Sequence, residues 1–133
     1  MGMWFCMLCI NLMFPAIMLI SGMLFMKKPP KKRNYLYGYR TAMSMKNEDT
    51  WVFAHNCAGA FWWKWGLIAF VIAVVPMLLI FGQPIDILGP VSAVIMCLLA
   101  ILLLAVFPYT EKALRNTFDK DGNRKAEAHN ENL

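Results

Sequence analysis

The chain has 133 residues, 59% of them hydrophobic and 16% charged, with a formal net charge of +5 and a mean hydropathy of +0.50. That composition excludes a disordered chain and an ordinary soluble domain, and leaves an integral membrane protein. The basic excess carries information only once it is placed along the chain, because Lys and Arg beside a bilayer act by position.

The first apolar stretch, residues 3 to 26, is long enough for a helix to cross a hydrocarbon core of about 30 Å. No Lys or Arg precedes it, no small-residue cleavage site ends it, and it runs into Lys27-Lys28-Pro29-Pro30-Lys31-Lys32-Arg33. This is the layout of a stop-transfer anchor rather than of a cleaved signal peptide. Trp4 marks its outer end, Asn11 is expected to hydrogen-bond a neighbouring helix, and Pro15 to kink the span. Cys6 and Cys9 form a C-x-x-C with no second pair and no nearby His and read as buried small apolar residues rather than a redox or metal site; Cys97 falls within an apolar span, and Cys57 on the cytoplasmic side, where thiols stay reduced.

The segment from 27 to 60 is the polar loop. Within it, Asn47 is an N-cap followed by Glu48 and Asp49 in a first turn, so a helix is expected to begin near residue 48. Trp51, His55, Ala58 and Trp62 then share one face of that helix, and Gly59 is the expected bend into the second span. Phe61-Trp-Trp-Lys-Trp65 is an interfacial aromatic belt in which Lys64 can snorkel toward water, and the second span covers residues 61 to 82. A short breaker-rich turn through Gln83 to Asp86 allows only an antiparallel hairpin into the third span, residues 87 to 107.

Beyond Pro108, Thr110 is expected to cap a helix from Glu111, with Leu114 and Phe118 on the face that lies on the membrane or folds back on the loop. Thr117, Asp119, Asp121, Gly122 and Asn123 imitate the start of a calcium loop. The first place is not Asp and Ala128 occupies the place of the bidentate Glu, so the segment reads as a turn. His55 and His129 have no partner at ligand spacing and read as ordinary surface or packed residues.

Seven basic residues lie between the first and second spans (Lys27, Lys28, Lys31, Lys32, Arg33, Arg40, Lys46) and five follow the third (Lys112, Arg115, Lys120, Arg124, Lys125). With none before the first span or in the turn 83 to 86, positive-inside reasoning puts the N-terminus outside and the loop and tail in the cytoplasm. The expected fold class is an all-α membrane protein. It has three transmembrane helices, a cytoplasmic amphipathic helical loop and a short cytoplasmic C-terminal helix, all in a single membrane domain over 1 to 133 with its tail at 108 to 133.

No Asp, Glu, His or Arg lies within the spans, which speaks against proton-coupled transport and against an intramembrane protease. The reading is therefore not an enzyme, with no cofactor, no metal and no nucleic-acid partner. The polar constellation that stands out is Tyr37, Gly38, Tyr39, Arg40, Thr41, Ser44, Asn47, Glu48 and Trp51. Arg40 can fork onto a phosphate or onto the carboxylate of Glu48 or Asp49, while the bland alternative is an interfacial anchor on membrane lipid.

At this loop, Gly38-Tyr-Arg-Thr41, Ser44-Met-Lys-Asn-Glu48, Thr50-Trp51, Ala54, Asn56 and Gly59 resemble the signature of the SdpI family of bacterial membrane immunity proteins. Thr110-Glu-Lys-Ala-Leu-Arg115 and Phe118-Asp-Lys-Asp-Gly-Asn-Arg124 are similar to the segment that follows the membrane in that family. The resemblance implies a multi-pass protein of the bacterial plasma membrane that confers resistance to a secreted, hydrophobic peptide toxin. Toxin sensing and signalling through a sequestered cytoplasmic repressor are a further implied role. Gly22, Ala69, Ala73, Ala93 and Ala100 allow close packing between spans, with a second copy in a homo-oligomer, or with the toxin. The alternative is a structural or accessory subunit of a bacterial membrane complex.

Overall fold

A computed structural model of the chain describes residues 1–27 and 38–125. They form four helices, α1 (Gly2–Lys27), α2 (Glu48–Leu79), α3 (Ile85–Leu104) and α4 (Val106–Thr117). Three helical stretches are long and apolar enough to cross a membrane: α1, α2 and the combined stretch Ile85–Thr117. The protein is an all-helical membrane protein with three spans. Their outward faces carry exposed apolar side chains such as Phe5, Val71, Leu79 and Ile101, as a lipid-facing surface requires.

In lipid, apolar burial gives helices little reason to associate, so close contact must come from small side chains. α1 and α2 run antiparallel, pairing Trp4 with Met77, Leu19 with Gly66 and Gly22 with Gly59. A Cβ on Gly22 would lie 2.8 Å from both the Gly59 carbonyl oxygen and the Trp63 amide nitrogen. The backbones therefore meet at this crossing with no room for any side chain. Ala69 and Ala73 are fully buried further along, whereas Ala93 is exposed and Ala100 half-buried, so only part of the expected small-residue set is used between helices.

Gly59 does not end a helix. α2 continues unbroken through it for 32 residues, about 48 Å at 1.5 Å per residue, and so outruns a hydrocarbon core of about 30 Å. The excess length of α2 forms a post against which the rest of that end assembles. The capping expectation holds: Asn47 Oδ1 accepts the Thr50 amide at 2.8 Å, and Thr50 Oγ1 accepts the Asn47 amide at 3.1 Å.

The last helix starts earlier than the sequence indicates. α4 begins at Val106, so Thr110 lies inside it, fully buried, instead of capping a helix from Glu111. The cause is Pro108. Its missing N–H leaves the Leu104 carbonyl without an i+4 donor and breaks the ladder at Leu104 and Ala105, yet proline is tolerated in the first turn of the helix that follows. The break is slight, since Ala105 keeps helical angles and donates to the Ile101 carbonyl at 2.9 Å. α4 folds back as the loop-facing alternative predicts, burying Leu114 and Phe118 against Ala54 and Ala58 of α2.

Inside the membrane, the Asn11 amide donates to Ser92 Oγ at 2.9 Å, joining α1 to α3 as expected. The Trp4 indole donates to the Met77 carbonyl at 2.8 Å. Cys6 and Cys9 are exposed, which corrects the expectation that they are buried; Cys97 is exposed as well and Cys57 is half-buried. Each is a free thiol.

Candidate functional site

The loop that the sequence singles out becomes a hydrogen-bonded latch between the first turns of α2 and the outer face of α4. Tyr37 lies outside the described residues. Gly38 opens the latch with φ +112°, in the left-handed region, and a Cβ there would lie 2.6 Å from His55 Nε2. Glycine is thus required twice over, by conformation and by space.

Tyr39 is 3% exposed. Its amide donates to His55 Nε2 at 2.9 Å, and its hydroxyl reaches Glu111 Oε1 at 3.1 Å and the Phe107 carbonyl at 3.3 Å. Thr41 Oγ1 donates to the same Glu111 oxygen at 2.5 Å, so one carboxylate oxygen gathers two hydroxyls from the loop. Ser44 Oγ accepts the Thr41 amide at 2.8 Å and lies 3.1 Å from the Tyr39 carbonyl, which ties the loop into a tight turn. Burial, reinforced by the adjacent Glu111 carboxylate, pushes the Tyr39 phenol well above its ordinary range. Tyr39 is therefore a permanent donor and not a proton acceptor near neutral pH.

A second set of contacts joins the tail to the tip of α2. The Asn47 amide donates to the Gly122 carbonyl at 2.7 Å while its oxygen caps α2, so one side chain serves both elements. Asp119 Oδ1 accepts the amides of Asp121 and Asn123 at 2.9 and 3.0 Å, and Gly122 takes φ +84°, which is the turn expected from these residues. Arg124 forks onto Asp49 with two contacts of 2.8 Å and lies 5.2 Å from the centre of the Phe118 ring. This guanidinium holds the Asp49 carboxyl below its usual value.

Arg124 is thus a partner of Asp49. Arg40 and Glu48 are both exposed on the surface, whereas Trp51 is fully buried and packs on His55 with ring centres 4.3 Å apart. The latch brings Gly38, Tyr39, Thr41, Ser44, Asn47 and Trp51 together. Sequence reasoning missed Glu111, Thr50, the latching role of His55 and the pairing of Asp49 with Arg124. Thr50 was available as the third residue of the capping box, and His55 as the i+4 neighbour of Trp51. Glu111 and Arg124 carry no local signal, because their partners are 70 and 75 residues away.

Two outcomes follow from this geometry. Because Arg124 and Asp49 are 41% and 48% exposed, a double-mutant cycle of Arg124→Gln and Asp49→Asn should give a coupling of only about 0.2–1 kcal/mol in thermal unfolding. A coupling several times larger would show that this pair, and not Asn47, holds the tail. His55 accepts at Nε2, so its proton sits on Nδ1, which faces the Trp51 carbonyl at 2.8 Å. Burial lowers its pKa, and it lies in the polar segment 27–60 ahead of the second span. Below about pH 6.5 the unfolded chain takes up a proton that the folded latch resists, so stability is full above that pH and declines as pH falls toward the lowered folded value. Unfolding midpoints in detergent should drop between about pH 7 and 5, and the slope should flatten in His55→Gln.

The chain belongs to the SdpI/YfhL protein family, whose model matches residues 31–110. It is 30% identical over 110 residues to the uncharacterized protein YfhL of Bacillus subtilis (strain 168), covering 82% of this chain and 90% of that one. No solved structure matches it. The matched region takes in the described part of the loop, all of α2 and α3, and α4 as far as Thr110. The core of the latch therefore lies in family territory, while Glu111 and the tail clasp lie just past it.

Proposed function

We propose that this protein is an integral membrane immunity protein of the bacterial plasma membrane that confers resistance to a secreted antimicrobial peptide toxin. Membership of the SdpI/YfhL family carries the reading. The three-span bundle, with a polar latch at the end that bears most of the basic residues, is compatible with it. The toxin would be hydrophobic and met within or beside the bilayer, and the latch would report the bound state to a cytoplasmic partner such as a repressor. A ligand can shift the latch only by contacting its closed and open forms differently. The reading is of a binding protein and not an enzyme, supported by the way the loop hydroxyls of Thr41 and Ser44 are committed to turn and latch contacts.

The test is expression in a bacterium sensitive to the secreted peptide encoded nearest this gene, with and without Arg40→Ala, which removes an exposed side chain. Protection by the unaltered chain is the expected result. Undiminished killing at normal membrane levels would overturn the reading. Recovery of a stoichiometric membrane partner from unstressed cells would favour the accessory-subunit alternative. The proposed orientation has the N-terminus outside and the latch in the cytoplasm. A cytoplasm-only reporter fused after residue 45 or 125 should then be active, and one fused after 85 silent.

A further inference from the structure

Beside the latch, the same end of the molecule carries an open groove of about 700 Å³. Four cations line it from three separate stretches: Lys46 ahead of α2, Arg115 on α4, and Lys120 and Lys125 in the tail. Met43 and Phe118 supply its apolar wall. Asp119 is the acidic residue of the lining, and its Oδ1 is already committed to the amides of Asp121 and Asn123.

Like charges gathered around one concavity raise its potential, and the energy cost of holding them together is offset when an anion enters. The assembly is not a loose surface cluster. The Lys46 ammonium donates to the Lys120 carbonyl, Asn47 holds Gly122, and Arg124 holds Asp49, so the walls are fixed by contacts other than the ligand. An Arg fork combined with Lys point charges suits the several oxygens and the double charge of a phosphate better than a single carboxylate.

We propose that this groove binds a phosphate-bearing anion whose apolar portion rests on Met43 and Phe118. The phosphate comes either from the headgroup of an anionic lipid or from a free phosphorylated compound. The site is independent of the immunity reading, and the two stand or fall separately.

The experiment uses the purified full chain in two settings. In neutral detergent, the thermal midpoint is followed with inorganic phosphate or pyrophosphate against sodium chloride of equal ionic strength. In nanodiscs, phosphatidylcholine alone is compared with phosphatidylcholine containing phosphatidylglycerol. A midpoint raised in the first setting identifies a free phosphate ligand; one raised only in the second identifies a headgroup. In either case Arg115→Gln and Lys120→Gln should each weaken the response about tenfold, while Lys120→Arg and the distant Lys64→Gln retain it. The proposal is overturned by no response in either setting, by an equal response to chloride, or by a response that survives the double variant Arg115→Gln/Lys120→Gln.

Discussion

Replacing Gly22 with Val is expected to be the most damaging single change in α1. The new Cβ meets the Gly59 carbonyl oxygen and the Trp63 amide nitrogen at 2.8 Å, and both are backbone atoms of a continuous helix that cannot rotate aside. Relief requires α1 and α2 to move apart, which loosens the packing along their whole antiparallel contact. A cost of about 3 kcal/mol is expected, seen as a fall of roughly 10 °C in the unfolding midpoint in detergent. Gly22→Ala should be nearly as severe, because the first side-chain carbon is already the clash. Ala93→Val, on an exposed face, should leave the midpoint unchanged. Equal behaviour of Gly22→Val and Ala93→Val would refute the close crossing.

Trp51→Ala is the second large effect. The indole is fully buried at the base of the latch, against the His55 ring and beside Gly38. Truncating a buried aromatic of this size costs about 3–5 kcal/mol, because the surroundings only partly collapse into the space. Thermal unfolding should show that loss, with Trp51→Phe recovering a good part of it. A functional defect in Trp51→Ala would therefore report a disturbed latch.

Features with a local cause were legible in the sequence. Hydropathy placed the three spans, and the cap at Asn47 placed the start of α2, because helix termini are written in adjacent residues. The close contact at Gly59 was not legible, because a glycine in a helix can mean a bend or a close neighbour, and only the position of Gly22 on another helix reveals the neighbour. Pro108 was misread for a similar reason: proline ends one helix and also fits the first turn of the next. The latch was half visible. Its loop residues stood out by type, but Glu111, which gathers the Tyr39 and Thr41 hydroxyls, looked like any surface carboxylate until α4 was packed against α2.

The separation of these partners along the chain also sets an order of events during synthesis. Asn47 leaves the ribosome 75 residues before Gly122, a delay of roughly 4 to 15 s at about 5–20 residues per second. Until Glu111 is made, 70 residues after Thr41, the loop has no carboxylate from α4 to close upon, however well its own turn is formed. The latch therefore completes only after the third span has been made. A product cut short before residue 105 would display Tyr39, Thr41 and Asn47 without their partners, in a form that quality-control proteases could distinguish from the whole.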